Sequence, residues 1–300
     1  MPTWDEFQPF IVTGLALGGV YALSGAGMVV LYRTTGVLNL AFGAVGALGA
    51  LIAWDLINNS LWPEWPSYGV AVLICAGVTL GYGVVIGPAL AGRDALVKAT
   101  ATLGLALILL GTMSWIWSDK ARSQVLPTST HAFDVGQVAV TWTQVISFGL
   151  GVVVVFGTAA FLKYTKLGTA MRGLANDREI TATLGVPVRW VEAQAWLVSG
   201  LLSGISGLLL SDLVGLDAVS LTFLVISSLA AALIAQLRSL VVTFFAALVV
   251  GLVSALATPI TSISEYRNMA PFVLATIALL WISRKREISF TGTGLGSGRG

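Results

Sequence analysis

The 300-residue chain is 56% hydrophobic, only 10% of its residues are charged, and its formal net charge is +2. Soluble domains carry roughly 25% charged residues, so the composition excludes an ordinary soluble protein, and the near-neutral charge gives no reason to expect nucleic-acid binding. Mean hydropathy is +0.90, and many apolar runs reach the length of about 20 residues that crosses a bilayer. The composition predicts an all-α polytopic membrane protein.

Nine apolar segments follow one another along the chain, at 10–31, 36–57, 68–90, 99–117, 145–162, 193–210, 219–236, 240–257 and 271–283. The segments 36–57 and 219–236 are candidates for half-helices, so we expect eight to ten crossings. They form one transmembrane domain over residues 1–283. The Gly/Ser-rich residues 284–300 are predicted to be a disordered cytoplasmic tail. The N-terminus lacks the basic region of a signal peptide, so the first segment is expected to be retained.

Basic residues concentrate on the cytoplasmic side of membrane proteins, and their distribution predicts the orientation. With the N-terminus outside and the C-terminus in the cytoplasm, 13 of the 16 Lys and Arg residues lie in cytoplasmic loops or in the tail. The other three are Lys120, Arg122 and Arg267. The opposite orientation would invert that ratio. Asp212 and Asp217 then flank a short outer loop, where we expect them to cap a helix or stabilise a turn.

Little in the sequence indicates chemistry carried out by this chain. Cys75 and His131 are single residues of their kind, too few for a disulfide or for a zinc, iron–sulfur or haem site. The apolar segments contain no catalytic acid–base pair and no paired carboxylates of the kind that proton-coupled transporters need. We therefore expect no catalytic residue, no metal and no cofactor bound by the chain.

Glycines recur at spacings of three or four in several apolar segments, as in Gly14/Gly18, Gly43/Gly46/Gly49 and Gly200/Gly204/Gly207. Small residues at this spacing let helix backbones approach closely in lipid. Ordinary helix packing is the main interpretation, and a gate that slides on small residues is the alternative.

The stretch LYRTTGVLNLAFGAVGALGAL carries a polar amide, Asn39, between Gly36 and Gly43. An amide inside the membrane should face protein or a cavity, and a Gly-interrupted segment near the midplane is typical of a translocation path. We therefore predict that Asn39, Phe42 and Gly43 belong to a path. The alternative is that Asn39 only bonds the backbone of a neighbouring helix.

Eight charged residues gather between Lys163 and Glu192, in a loop that the orientation places in the cytoplasm. Asn176 and Glu179 have capping-box spacing, which predicts a short helix over 177–184. Gly185 should end it, and Pro187 should prevent its continuation. A helix this short needs packing to be stable. It either rests on lipid headgroups or docks a soluble partner through Ile180, Thr181, Thr183 and Leu184, with Arg178 and Glu179 steering.

Three stretches resemble the permease subunits of the branched-chain amino acid (LIV-type) class of ABC importers. They are LNLAFGAVGALGAL, ATLGLALILLG and LGTAMRGLANDREITATLGVPVRWVEAQAWLVSGLLSGISGLLL, and the similarity covers roughly residues 10–285. The third stretch is the most specific. The resemblance implies a fold of the type II importer class in a prokaryotic inner membrane, with this chain as one of two membrane halves.

The resemblance also implies the partners. These are a paralogous second permease subunit, two cytoplasmic ABC ATPase subunits and an extracytoplasmic substrate-binding protein. ATP and Mg would be used by the ATPases, because this chain lacks the phosphate-binding pattern GxxxxGK[ST]. The implied ATPase-coupling positions are Arg172, Asn176, Asp177, Arg178, Glu179, Ile180, Thr181, Leu184 and Gly185. The implied path positions are Asn39, Phe42, Gly43, Thr102 and Gly104.

Two departures from the family pattern bear on the substrate. Family members often read N-F-A-H-G-E where this chain has Asn39 to Ala44, so that Phe42 replaces a histidine and Ala44 an acid. A later Gly-rich motif is altered to AQLRSL near Gln236. A branched-chain or other apolar amino acid is the expected solute, and urea, an amide or an aromatic or aliphatic carboxylate are the alternatives. A stand-alone channel, a secondary transporter or a membrane-embedded enzyme are the competing functions.

Overall fold

The computed structural model describes residues 4–118, 120, 122–135, 138–259, 269, 271–278 and 280. In chain order its helices are α1 (Trp4–Thr35), α2 (Phe42–Asn58), α3 (Glu64–Val85), α4 (Gly87–Leu90), α5 (Ala95–Trp117), α6 (Trp142–Tyr164), α7 (Lys166–Asn176), α8 (Arg178–Thr183), α9 (Val188–Val214), α10 (Ala218–Ile234) and α11 (Leu240–Leu256). Residues 271–278 are also helical. A 3₁₀ turn, Pro127–Ser129, precedes strands β1 (Ala132–Val135) and β2 (Val138–Thr141).

Five of these helices contain stretches long and apolar enough to cross a membrane: Phe7–Thr35, Glu64–Val85, Ala95–Trp117, Trp142–Tyr164 and Val188–Val214. Three shorter apolar helices, α2, α10 and α11, have 17 residues each, or roughly 26 Å at 1.5 Å per residue. These eight helices correspond to the first eight predicted segments. The last segment, 271–283, is only partly covered, and the 284–300 tail and Arg267 lie outside the described residues.

One element departs from the predicted all-α architecture. Strands β1 and β2 pair antiparallel, with Ala132 opposite Thr141 and Val135 opposite Val138. The hairpin lies in the long connection between α5 and α6, where the sequence analysis predicted only a loop. We call this end of the bundle the hairpin end and the opposite end, which carries α7 and α8, the α8 end.

Helix α1 lies at the centre of the bundle and packs against α6, α9, α10 and α11. In its most apolar 18-residue window, 89% of the residues are buried. A helix that is apolar on all faces needs neighbours on all sides, and the fully buried Val20, Leu23 and Ala26 show that α1 has them.

Close helix contacts depend on glycines, as the spacing predicted. A Cβ atom added to Gly251 of α11 would lie 2.5 Å from the backbone nitrogen of Gly18 on α1. A Cβ atom added to Gly207 of α9 would overlap the carbonyl oxygen of Gly46 on α2. Two backbones therefore touch at each crossing, as is typical of helix packing in lipid.

The Gly207 crossing gives a stability prediction. We expect Gly207→Ala to destabilise the protein by about 1–3 kcal/mol, because the new methyl group has no space and α2 must move away from α9. The measurement is the apparent melting temperature of the detergent-purified protein, followed by fluorescence-detected size-exclusion chromatography.

Gly77→Ala is the matched control, because a Cβ atom there meets no heavy atom within 4 Å. It should leave the melting temperature unchanged or raise it slightly, since alanine is the better helix former. Equal shifts for the two variants would contradict the close crossing.

Candidate functional site

Residues 36–41 connect α1 to α2 without forming a helix, although they lie inside a predicted apolar segment. Gly36 has a φ of +68°, a left-handed conformation that glycine adopts without strain. Val37, Asn39 and Ala41 are buried. Buried backbone N–H and C=O groups outside a helix require hydrogen-bond partners inside the protein, so the contacts of this segment decide whether it can exist.

Thr102 on α5 supplies partners for two of these backbone groups. Its hydroxyl donates to the carbonyl oxygen of Leu38 over 2.8 Å and accepts from the N–H of Leu40 over 3.1 Å. Thr102 itself is completely buried. A single side chain thus fixes the non-helical segment to a neighbouring helix.

Asn39 stabilises the turn into α2 from within the segment. Its Oδ1 accepts a hydrogen bond from the N–H of Ala41 over 3.1 Å, so the side chain bonds its own segment rather than a neighbouring helix. Its Nδ2 has no hydrogen-bond partner among the described residues, although Asn39 is 1% exposed. The structure therefore leaves one buried amide donor of this residue unpaired within the described part of the chain, which is a costly arrangement.

Phe42 and Gly43 begin α2 at the same junction. The Phe42 ring is buried with Leu23 and Leu202, and its carbonyl oxygen accepts from the Ser203 hydroxyl of α9 over 2.5 Å. Gly43 lies against the backbone of α10, because an added Cβ atom would overlap the Thr222 carbonyl oxygen.

The structure therefore brings Asn39, Phe42, Gly43 and Thr102 together where α2 meets α5, α9 and α10. Gly104 follows Thr102 by two residues on α5, and an added Cβ atom there would meet no heavy atom within 4 Å. The sequence analysis missed Ser203, whose only signal is a hydroxyl inside a Gly-rich apolar run.

The charged loop 163–192 contains two helices instead of the one predicted. The Thr165 hydroxyl caps α7 by accepting from the Gly168 N–H over 2.9 Å. Helix α8 follows after the single residue Asp177, which has extended backbone angles. Among the predicted coupling residues, Arg172 lies on α7 and its guanidinium reaches the Lys163 carbonyl oxygen.

The predicted short helix is present, but its predicted cap is wrong. Asp177 caps α8 through its Oδ1, which accepts from the Ile180 N–H over 2.9 Å. Asn176 is instead the last residue of α7. Its backbone is already helical, so it cannot serve as the cap of the next helix. Glu179 accordingly lies in the first turn of α8 rather than at the third position of a capping box.

Helix α8 is attached on one side and exposed on the other. Arg178 makes a bidentate ion pair with Glu192 of α9, with N–O distances of 3.0 and 3.2 Å. Thr181 is buried, whereas Ile180 is 60% exposed and Leu184 is 78% exposed. Gly185, with a φ of +82°, ends the segment. Two large apolar side chains therefore project from a well-anchored helix.

A cavity of about 1080 Å³ lies beside α8, between the ends of α1, α7 and α10. Arg33, Arg178 and Arg238 line it, and the Arg33 guanidinium donates to the Arg238 carbonyl oxygen over 3.2 Å. Gln236 and Leu237 in its wall have φ values of +52° and +55°. These left-handed residues lie in the AQLRSL stretch, where the resemblance anticipated glycines.

Known proteins are similar in sequence to most of this chain. The sequence profile of a family described as branched-chain amino acid transport system, permease component, matches residues 10–280. The chain is 24% identical to the high-affinity branched-chain amino acid transport system permease protein BraD of Pseudomonas aeruginosa, over 72% of this chain and 74% of BraD. It is 26% identical to the probable branched-chain amino acid transport permease protein LivH of Methanocaldococcus jannaschii, over 69% and 67%.

Among solved structures, PsaBC from Streptococcus pneumoniae in complex with Fab is similar with a TM-score of 0.49 and 15% identity. That alignment covers 92% of this chain and 91% of the other.

The attachment of residues 36–41 to α5 gives the second prediction. We expect Thr102→Val to destabilise the protein by about 1–3 kcal/mol, because the Leu38 carbonyl and the Leu40 N–H lose their partner in a buried position. Thermal unfolding of the purified protein measures the loss, and hydrogen exchange at residues 36–41 should increase.

Thr112→Val on the same helix is the control. The Thr112 hydroxyl is exposed and bonds only the carbonyl of Ile108, one turn earlier. If Thr112→Val lowered the stability as much as Thr102→Val does, the role assigned to Thr102 would be contradicted.

Proposed function

This chain belongs to the family of permease components of branched-chain amino acid transport systems, and from that premise we propose that it forms one half of the translocation path of an ATP-driven importer. The match over residues 10–280 carries the proposal, because it spans the bundle, residues 36–41 and α8. The protein is a multi-pass protein of the inner membrane. We assign its bundle to the type II importer class.

The proposed solute is a branched-chain or other apolar amino acid, as the names of the relatives suggest. Asn39, Phe42, Gly43, Thr102 and Gly104 are the proposed path residues. The unpaired Asn39 amide supports this assignment, because an amide donor in an apolar bundle is costly unless something binds it. A paralogous second permease would complete the path.

We assign the energy-coupling role to α8 and the loop 163–192. The exposed Ile180 and Leu184 offer an apolar contact to a soluble ATPase. The Arg178–Glu192 ion pair links α8 to α9, so that a displacement of α8 by the ATPase also moves α9. The sequence has no GxxxxGK[ST] pattern, so ATP and Mg are assigned to the partner ATPases. This arrangement requires the α8 end in the cytoplasm and the hairpin end outside, where a binding protein delivers the solute.

Reconstitution tests the function directly. In proteoliposomes containing the chain, its paralogous permease, the two ATPases and the binding protein, radiolabelled leucine should accumulate with ATP and remain at background without it. Uptake that persists when the ATPases are omitted would contradict an importer and indicate a channel or secondary transporter. Uptake of urea or benzoate, but not of leucine, would support ATP-driven import and contradict the proposed amino acid solute.

The coupling surface gives a prediction of its own. We expect the double variant Ile180→Asp, Leu184→Asp to lower solute-stimulated ATP hydrolysis at least tenfold, because two buried contacts to the ATPase become charged. The protein should remain in the membrane at its usual level, since both side chains are exposed in the isolated chain.

Leu61→Asp is the matched control, with a leucine that is 84% exposed at the hairpin end. It should leave stimulated ATP hydrolysis unchanged. Normal hydrolysis in the α8 double variant would overturn the assignment of α8 as the docking element.

A further inference from the structure

A second cavity, of about 570 Å³, lies at the hairpin end of the bundle. It is bounded by Arg122, by the loop between α9 and α10, by one face of α10 and by Phe272. Its volume falls within the range of roughly 300–1000 Å³ that small-molecule sites occupy. The predicted path residues do not line it. The sequence placed Arg122 in an outer loop and predicted that Asp217 caps a helix or stabilises a turn, and the capping role is confirmed.

Arg122 is held rigidly at the edge of this cavity. Its backbone exchanges two hydrogen bonds with Leu216, at 2.9 and 3.1 Å. Its guanidinium lies 4.8 Å from the centre of the Trp54 ring and donates to the carbonyl oxygens of Lys120 and Trp117. A guanidinium has five N–H donors, and no ion pair between Arg122 and an acid is found in the described part of the chain.

Asp217 contributes the opposite charge to the same cavity. One carboxylate oxygen, Oδ2, accepts from the Ser220 N–H over 2.8 Å and caps α10. The capping bond uses one of the two carboxylate oxygens, which leaves Oδ1 as an acceptor. Asp217 is also adjacent in sequence to Leu216, so the backbone pairing with Arg122 holds the cation and the anion at one cavity.

The remaining wall is mostly apolar. Phe223, Leu224 and Ile226 project from α10, and Phe272 faces them from the helical segment 271–278. The side chain of Phe223 is 58% exposed, so its ring is open to a molecule in the cavity. The cavity thus combines one cation, one anion and an apolar surface.

We propose that this cavity binds a free, zwitterionic α-amino acid with an apolar side chain, as a site at the outer end of the path. The Arg122 guanidinium takes the carboxylate, the Asp217 carboxylate takes the ammonium group, and the apolar side chain lies on Phe223 and Leu224. The inference rests on the proposed import of amino acids and adds the residues that recognise both charged groups. It predicts selection against uncharged amides and against simple carboxylates.

The test measures binding to the purified importer, permeases with ATPases, in nanodiscs without the binding protein. Radiolabelled leucine is the probe, and leucinamide and 4-methylpentanoate are competitors that lack the carboxylate and the ammonium group, respectively. Nanodiscs of phosphatidylglycerol alone remove zwitterionic lipid headgroups, which could occupy the same charges. Each competitor should bind at least tenfold more weakly than leucine, because it leaves one charged group of the site without its partner.

Asp217→Asn is the informative variant, because asparagine caps a helix as well as aspartate does and therefore preserves the start of α10. It should weaken leucine binding at least tenfold and leave 4-methylpentanoate binding unchanged. Arg122→Gln should weaken leucine binding and spare leucinamide, and Arg122→Lys should restore part of the loss. Asp134→Asn, in β1 at the same end, should have no effect.

The outcomes separate this inference from the proposed function. If the complete importer takes up leucine but Asp217→Asn binds leucine as tightly as the unaltered protein, the cavity assignment is overturned and the import function stands. Equal competition by leucine and 4-methylpentanoate would likewise overturn it. If the complete importer takes up no amino acid, the proposed function and this site both fail.

Discussion

Backbone N–H and C=O groups that lose water must find partners inside the protein, and in this chain that requirement falls most heavily on residues 36–41. Regular helices meet it internally, which is why most of the described chain is helical. The non-helical segment meets it with the Thr102 hydroxyl and the Asn39 amide. Because these bonds come from α5 and from the segment itself, the position of α2 depends on them. The buried ring of Phe42 and the contact of Gly43 with α10 follow from that position.

Helix α9 connects the features to which function is assigned. At the α8 end, its Glu192 holds Arg178. Midway along, Ser203 bonds the Phe42 carbonyl at the start of α2, and Gly207 allows contact with Gly46. At the hairpin end, Asp212 accepts from the backbone of Leu126, and the loop that follows pairs with Arg122. Under the coupling role proposed for α8, these contacts of α9 are the ones through which a displacement of α8 would act on the rest of the bundle.

The sequence predicted the features that follow from hydropathy and from local signals. The long apolar runs predicted the eight apolar helices of the described bundle, and the glycine spacing predicted the close helix crossings. Gly185 correctly marked the end of the segment that contains α8. Sequence reasoning failed at short elements whose local signals are weak. Asn176 looked like a cap, but an unpredicted helix already contained it, so Asp177 took that role. The hairpin was missed because its strands are only four residues each.

The candidate sites likewise contain some residues that the sequence could single out and others that only the structure brings together. Asn39 could be singled out because a polar amide in an apolar run is visible in the sequence, whereas its bond to the Ala41 N–H depends on the local fold. Arg122 and Asp217 are 95 positions apart, and the sequence predicted an outer-loop position for the first and a cap or turn for the second, but no shared site. Only the pairing of Arg122 with Leu216 shows that they share a cavity. No periodicity in a single sequence encodes that contact.

The account depends on the α8 end facing the cytoplasm and the hairpin end facing outward, and cysteine accessibility tests this most directly. Ala182→Cys in α8 and Ser123→Cys beside Arg122 place exposed thiols at the two ends, and the native Cys75 is buried. A membrane-impermeant maleimide added to intact spheroplasts should label the Ser123→Cys protein at once and the Ala182→Cys protein only after permeabilisation. Immediate labelling of Ala182→Cys, with Ser123→Cys protected until permeabilisation, would contradict the account.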